Sequence, residues 1–320
     1  MKISRIITAT LLICLAGISF AFSQSDSKKD KSKKDKTAAK IVEIKANLLV
    51  TNANGKFADD VKLEDLKIYE DGIEQKVTYF TKKQNAFNVG LVVDNTGSMR
   101  SQLDTVISAG ATFVGNMRPQ DEVFVLRFVG RDKIEIVQNW TTEKNRLNAA
   151  LANLFIEGGQ SAVIDALYLS ANEVTKREKA VITSRNALIL ISDGEDRDSF
   201  YNQKQLLELF KGSDTQIFTI GLIGGVQEGR PKSMVKNFIN QLSLETGGAS
   251  FFVNDKQAEL VAALKGILTE LNSQYIIGYT STNQKRDGKS RKLTVQITDG
   301  AKGEKRLLNV RESFVVPEEK

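Results

Sequence analysis

Three short segments of the chain place carboxylates or hydroxyls where an apolar run stops or a helix is about to start. In LVVDNTGSMR an aspartate and two hydroxyls follow three β-forming residues, ALILISDGEDRDS repeats the run-then-aspartate pattern, and EGGQSAVIDAL has a serine just before a predicted helix. Carboxylate and hydroxyl oxygens are hard ligands of the kind that Mg²⁺ prefers, and an open coordination position would take a partner's carboxylate. The candidate ligands are Asp94, Thr96, Ser98, Ser161 and Asp193.

Two residue types that carry much enzyme chemistry are nearly absent. The 320 residues include no histidine and a single cysteine, Cys14, which lies inside the apolar N-terminal run. Ser-His-Asp and Cys-His catalysis and His-ligated zinc sites are therefore excluded, and candidates for general acid-base work are poor. The composition is otherwise that of a globular chain, with 41% hydrophobic and 26% charged residues.

The middle of the chain alternates between strands and helices. Apolar runs predict buried strands at NVGLVVD, EVFVLRFV, NALILISD, QIFTIGL and ASFFVN, with KIEIVQNW as a half-exposed edge strand. Between them, apolar residues recur at helical spacing. This order predicts an α/β fold with a doubly wound, mainly parallel sheet, in which ligands bind beyond the carboxyl ends of the strands. The three oxygen-bearing segments would meet at that edge.

Both flanks of this region are rich in β-forming residues. Upstream, Asp71-Gly72 in YEDGIEQKVTYF is a hairpin signal, and downstream QYIIGYTS, KLTVQITDG and RLLNVRESFVV predict further strands. The two β-modules would pair if the ends of the α/β region lie near each other.

The motifs resemble the metal-ion-dependent adhesion site of von Willebrand factor type A domains: D-x-T-x-S, then G-G-x-S, then a strand-ending Asp-Gly. The segments LKIYEDGIEQKVTYF, ELNSQYIIGYTST and RKLTVQI are similar to an exported bacterial group of such proteins seen in Acidobacteria. The resemblance implies a doubly wound α/β fold and Mg²⁺ or Mn²⁺ bound by the five candidates. Thr96 stands where serine is usual, Ser161 where threonine is usual, and Gln160 is an extra residue.

The predicted organisation has five parts. They are a cleaved signal peptide (1–23), a lysine-rich tether (24–40), a small β-module (41–84), a type A-like domain (85–274) and a C-terminal β-extension (275–320). The leader joins basic residues to a short apolar run and small residues suited to a peptidase, so we expect export to the periplasm or the exterior, without a transmembrane anchor after cleavage.

The net charge of +6 is concentrated at the N-terminus. The leader carries +2 and residues 25–40 carry +4, from seven lysines against three aspartates, so residues 41–320 are neutral. The folded body is therefore not predicted to bind nucleic acid. The tether would be solvated and would allow weak contact with an anionic surface.

These features predict an exported protein that presents a divalent cation to a protein partner offering Asp or Glu. One alternative is a Mg²⁺-dependent phosphotransferase or hydrolase with Asp94 as nucleophile, although haloacid dehalogenase-like enzymes need a second acid two residues on, where this chain has Thr96. Another is a metal-independent envelope scaffold. Taken one at a time, these residues also have structural explanations. Ser98 could cap the helix that follows, Asp193-Gly194 could form a turn, and the acidic residues after it could form a solvated loop.

Overall fold

The computed structural model describes residues 41–82, 86–178, 185–226, 230–254 and 256–318. The predicted signal peptide and the tether lie outside these residues. The helices are α1 (Leu103–Gly115), α2 (Lys144–Ala152), α3 (Val163–Glu178), α4 (Gln203–Lys211), α5 (Arg230–Thr246) and α6 (Gln257–Ser273). The strands are β1 (Glu43–Asn52), β2 (Leu66–Glu70), β3 (Ile73–Gln75), β4 (Val77–Thr81), β5 (Phe87–Asp94), β6 (Glu122–Phe128), β7 (Ile134–Thr141), β8 (Arg185–Ser192), β9 (Gln216–Leu222), β10 (Ser250–Val253), β11 (Tyr275–Thr280), β12 (Ser290–Ile297), β13 (Arg306–Asn309) and β14 (Ser313–Val315).

A six-stranded sheet with the order β10-β9-β8-β5-β6-β7 forms the centre of the α/β region. All neighbouring pairs are parallel except β6 and β7, where the edge strand runs antiparallel. Strands β5, β8 and β9 are buried along their whole length, because helices cover both faces. One apolar core joins the sheet to α1, α2 and α6, and a second joins it mainly to α3 and α4. The doubly wound fold expected from the sequence is confirmed.

Strand register brings the candidate segments together. In the parallel pairing of β5 with β8, Val93 lies opposite Ile191, so the next residues of the two strands, Asp94 and Ser192, meet at the same edge. This is the carboxyl edge of the sheet, where loops from different strands converge.

The strands that flank the α/β region on both sides along the chain form two antiparallel sheets, each with four strands. Their orders are β13-β1-β11-β4 and β14-β12-β2-β3. Apolar residues from both sheets share one core, which includes Leu48, Ile68 and Tyr275. The expected pairing of the N-terminal and C-terminal strands is present: β1 pairs with β11 and β13, and β2 with β12.

The hairpin predicted at Asp71-Gly72 forms, but its second arm is divided. Asp71 and Gly72 have φ values of 48° and 82°, as expected for a two-residue turn in which both residues are left-handed. Strand β3 stays beside β2, whereas β4, which follows after one residue, pairs with β11 in the other sheet. The residues after Gly72 thus form strands, as the alternation predicts, but these strands belong to two different sheets.

Arg311 connects the C-terminal segment to helix α4. Arg311 is 9% exposed, and its guanidinium donates to the carbonyls of Phe210 (3.2 Å), Lys211 (3.0 Å) and Ser213. The last carbonyls of a helix lack partners within the helix, so this contact satisfies the C-terminal end of α4.

Candidate metal site

The carboxylate of Asp94 lies at the end of β5 and is fully buried. Its Oδ1 accepts hydrogen bonds from the backbone N–H of Thr96 at 2.9 Å and from the Thr96 hydroxyl at 2.7 Å. A buried carboxylate without partners would be costly, so these donors help to keep it in the fold. The spacing of two residues thus places a hydroxyl directly on the carboxylate.

The second oxygen of Asp94 faces hydroxyls from two other segments. Ser192 donates to Oδ2 at 2.6 Å, and the Ser161 hydroxyl lies 3.4 Å from the same atom. Ser192 also accepts the backbone N–H of Gly194 at 2.9 Å, which fixes the start of the loop after β8. Sequence reasoning did not find Ser192, because it ends the apolar run ALILIS. The one sequence signal for Ser192 was its position directly before the candidate ligand Asp193.

Burial raises the pKa of Asp94 to about 6. The hydrogen bond from Ser192 and those from Thr96 act in the opposite direction, because they favour the charged form. The negative charge of Asp193 raises the pKa further. The carboxylate is therefore ionised at neutral pH but takes up a proton more readily than an exposed aspartate does.

Ser98 lies at the solvent-facing side of the constellation. Its Oγ is 3.0 Å from the Thr96 hydroxyl, and its residue is exposed. It sits in a short 3-10 turn, Gly97–Met99, and α1 begins only at Leu103 with Gln102 as the N-cap. Ser98 therefore does not cap the helix, and that interpretation of the hydroxyl was wrong.

Asp193 follows β8 and is 9% exposed. Its Oδ1 accepts the backbone N–H of Glu195 at 3.1 Å, so the carboxylate organises its own loop. The next residue, Gly194, has a φ of +79°, and a Cβ there would lie 2.5 Å from Cδ1 of Ile239. The loop turns sharply at Gly194 because its backbone rests on α5.

The loop after β8 also holds the segment that carries Ser161. The Ser161 carbonyl accepts the backbone N–H groups of Arg197 (2.8 Å) and Asp198 (3.0 Å), and Ser161 itself is 6% exposed. The extra residue Gln160 therefore does not carry Ser161 away from Asp94.

Asp196 is part of the same framework. Its Oδ1 accepts the backbone N–H of Ile164 at 3.1 Å and the Ser199 hydroxyl at 2.6 Å, so it binds the first turn of α3. The residue is half-buried, and burial raises its pKa. The prediction of a solvated acidic loop was therefore wrong for Asp196.

Asn95, between two candidate ligands, is fully buried and was also missed. Its backbone N–H donates to the carbonyl of Phe128 at 2.9 Å, its carbonyl accepts the N–H of Glu157 at 3.0 Å, and its Nδ2 donates to the carbonyl of Phe155 at 2.9 Å. Asn95 thereby connects the end of β6 with the segment that leads to Ser161. The side-chain oxygen of Asn95 is buried without a hydrogen-bond partner.

The donor set consists of oxygen atoms. Within the described ranges, no group of three or more Asp, Glu, His or Cys side chains lies close enough together to hold a metal ion. The candidate site instead combines two carboxylates with three hydroxyls, and these suit a hard cation such as Mg²⁺. Asp94 and Asp193 would supply the negative charge.

The α/β region matches a known protein family. The family model described as the von Willebrand factor type A domain matches residues 88–266, more than half of the chain. No curated protein matches the chain.

Within the described residues, no helix has both the length and the apolar character needed to cross a membrane.

Three solved structures illustrate the similarity. An aerotolerance-related membrane protein from Bacteroides fragilis is 19% identical, with 58% of this chain and 99% of that chain covered and a TM-score of 0.46. BatB, a conserved hypothetical protein from Bacteroides thetaiotaomicron, is 15% identical, with 57% and 100% covered and a TM-score of 0.43. The vWF domain of the type V pili tip protein Mfa5 from Porphyromonas gingivalis is 13% identical, with 58% and 95% covered and a TM-score of 0.47.

Proposed function

The chain belongs to the von Willebrand factor type A domain family, and on that premise we propose that it is an exported binding protein that holds a protein partner through a divalent cation. Asp94, Thr96, Ser98, Ser161 and Asp193 would hold Mg²⁺ or Mn²⁺. The cation would supply a positive charge to which a partner's Asp or Glu carboxylate can bind.

The observation that carries the proposal is the convergence on Asp94. Hydroxyls from three separate segments, those of Thr96, Ser161 and Ser192, lie within 3.4 Å of its two carboxylate oxygens. Hydroxyls can rotate, so each can direct a lone pair toward a cation while its oxygen stays in place.

Calorimetry with the purified protein and MgCl₂ tests the assignment. We expect Asp94→Ala to abolish Mg²⁺ binding, because it removes a charged ligand and the acceptor of the surrounding hydroxyls. Asp299→Ala is the matched control, since Asp299 is exposed and lies in the C-terminal β-extension. Undiminished Mg²⁺ binding by the Asp94 variant would refute the site.

We infer a binding role rather than catalysis from the surroundings of Asp94. The position two residues on carries a hydroxyl that donates to Oδ1 at 2.7 Å, where a haloacid dehalogenase-like enzyme would need a second acid. The chain also has no histidine for proton transfer. A burst of phosphate from generic phosphoesters, lost in Asp94→Ala, would instead support the enzymatic alternative.

Export rests on the leader at residues 1–23. Fractionation of cells that express the full chain, followed by N-terminal sequencing of the purified product, tests it. We expect a mature N-terminus just after Ala21 or Ser23 and recovery outside the cytoplasm. The lysine-rich tether would then begin the mature chain and add, at most, weak contact with an anionic surface.

A metal-independent scaffold would capture its partners equally well with a chelator present.

A further inference from the structure

The carboxylate of Asp165 fastens the loop after β8 to helix α3. Asp165 lies in the first turn of α3 and is 8% exposed. Its Oδ2 accepts the backbone N–H of Phe200 at 2.8 Å, and its Oδ1 accepts that of Tyr201 at 2.9 Å. Its own backbone N–H donates to the hydroxyl of Ser199 at 3.1 Å. The side chain and the main chain of Asp165 therefore both hold a segment that lies 34 to 36 residues later in the chain.

The loop in turn satisfies the first N–H groups of α3. The N–H of Ile164 donates to Oδ1 of Asp196 at 3.1 Å. The N–H of Asp165 donates to Ser199, and the Ser199 hydroxyl donates to Oδ1 of Asp196 at 2.6 Å. The first N–H groups of a helix have no partner within the helix, so they need acceptors from outside it. The loop and the start of α3 therefore hold each other in place.

A candidate metal ligand lies beside this contact in each of the two segments. Ser161 precedes Asp165 by four residues, and its carbonyl accepts two backbone N–H groups of the loop, at 2.8 and 3.0 Å. Asp193 precedes Asp196 by three residues, and Gly194 between them turns the chain with a φ of +79°. The position of Ser161 relative to Asp193 therefore depends on the contact between the loop and α3.

The other ligands are positioned without this contact. Asp94 ends β5, and Thr96 donates to its Oδ1 from both the backbone N–H and the hydroxyl. The Ser98 hydroxyl lies 3.0 Å from that of Thr96. A cation held by all five candidates would join this group to Ser161 and Asp193, so its affinity depends on where the loop is held.

We propose that Asp165 is a positioning residue for the cation: its carboxylate keeps the loop after β8 on α3 and thereby keeps Ser161 and Asp193 where they can share a cation with Asp94. This inference rests on the proposed cation-binding function. Asp165 would act through the loop and not as a ligand, since each of its carboxylate oxygens accepts a loop N–H. We expect the contact to be independent of the cation, because all its donors and acceptors belong to the chain.

Asp165→Asn tests the contact with the smallest change in size. An amide has one acceptor oxygen and one NH₂ donor group, so one of the two loop N–H groups would face a donor instead of an acceptor. We expect the Mg²⁺ affinity, measured by calorimetry on the purified full chain, to fall about tenfold or more. Ser199→Ala is a second, milder variant, because it removes the hydroxyl that links Asp165 to Asp196. Its Mg²⁺ affinity should fall about threefold or more.

A first control separates position from charge. Asp198→Asn removes one negative charge from the same loop, but the side chain of Asp198 accepts the backbone N–H of Arg131 at 3.2 Å, and an amide oxygen can keep that bond. We expect this variant to stay within about threefold of the wild-type Mg²⁺ affinity, because the lost charge is screened by salt.

A second control separates position from stability. Asp121 is fully buried and likewise accepts backbone N–H groups, from Phe87 at 3.2 Å and Arg118 at 2.8 Å, but it lies at the amino edge of the sheet. Asp121→Asn should destabilise the fold and leave the Mg²⁺ affinity of the folded protein unchanged. A purely stabilising role for Asp165 predicts the same result for Asp165→Asn.

Amide hydrogen exchange measures the contact itself. The N–H groups of Phe200 and Tyr201 should exchange slowly in the wild type, with or without MgCl₂, because both donate to a buried carboxylate. Asp165→Asn should accelerate their exchange about tenfold or more, and Asp198→Asn should leave it unchanged.

Each failure has its own result. A wild type that binds no Mg²⁺ would overturn the proposed function and this inference with it. With Mg²⁺ bound by the wild type, unchanged affinity in both Asp165→Asn and Ser199→Ala would overturn the positioning role alone. Exchange at Phe200 and Tyr201 that is no faster in Asp165→Asn would overturn it too. An equal loss of affinity in Asp198→Asn or Asp121→Asn would assign the effect to charge or to general destabilisation and would also overturn it.

Discussion

The hydroxyl of Ser192 donates to Oδ2 of Asp94 at 2.6 Å and joins the ends of two neighbouring parallel strands. The hydroxyl oxygen of Ser192 also accepts a hydrogen bond from the backbone N–H of Gly194 at 2.9 Å. One side chain therefore sets both the position of the buried carboxylate and the start of the loop that carries Asp193.

We expect Ser192→Ala to weaken Mg²⁺ binding about tenfold, because Asp94 loses a donor that orients it and favours its charged form. The free energy of unfolding should fall by about 1 to 3 kcal/mol, since a buried acceptor and a buried N–H lose a partner. Calorimetry and urea denaturation measure these effects. Ser170→Ala is the control, because Ser170 is equally buried but bonds to the carbonyl of Ala166 within its own helix. Equal Mg²⁺ affinity in wild type and Ser192→Ala would contradict this role.

The stability of the metal-free protein should depend on pH through Asp94. Its pKa rises from 3.8 to about 6 on folding, so between these values the folded state holds a proton that the unfolded state has released. The free energy of unfolding therefore falls as the pH rises from about 4 to about 6, by about 3 kcal/mol from this group.

The Asn variant isolates this effect. Asp94→Asn cannot ionise, so the difference between the urea-denaturation profiles of wild type and variant should follow the titration of Asp94. MgCl₂ at pH 7 should stabilise the wild type and leave the variant unchanged. Parallel pH profiles for the two proteins would contradict the prediction.

Gly194→Ala should destabilise the protein by about 2 to 5 kcal/mol and weaken Mg²⁺ binding. The residue has a φ of +79°, and the new Cβ would lie 2.5 Å from Cδ1 of Ile239, so strain and overpacking add. Gly97→Ala is the control within the site, because no atom lies within 4 Å of its Cβ position. Urea denaturation compares the two. Similar losses in both variants would point to a general sensitivity of the loops instead.

Arg311→Met should lower the free energy of unfolding by about 2 to 3 kcal/mol, because the carbonyls at the end of α4 lose their donor. Arg146→Met should change it by less than about 0.5 kcal/mol, since Arg146 forms an exposed pair with Glu143. Urea denaturation of both variants checks this, and an unchanged Arg311 variant would show that the contact is not needed to hold α4.

The α/β region could be predicted from the sequence because its strands are buried on both faces. Continuous apolar runs such as those of β5 and β8, when they alternate with helical patterns, are typical of a parallel sheet covered by helices. The Asp94 motif was also recognisable, since its polar residues interrupt such a run abruptly. Ser192 was missed because its role depends on strand register, which places it beside Asp94; its position directly before Asp193 was only an indirect signal.

Other details depended on tertiary contacts. Asp196 looks like a solvated residue in GEDRDS, yet it binds the first turn of α3, a segment more than thirty residues earlier in the chain. The arm after Gly72 alternates like one strand, but the two-sheet packing divides it between β3 and β4. Burial and partners that lie far apart in sequence decide such cases.

The pairing of β1 with β11 has a consequence for the order of folding. Glu43 lies opposite Thr280, and the entire α/β region separates the two strands along the chain. Closing so long a loop carries a large entropic cost, which falls once the intervening region is compact and holds its own ends together. We therefore expect β1 to pair with β11 only after the α/β region has folded, so that the edges of β1 stay unpaired until then and can meet other chains.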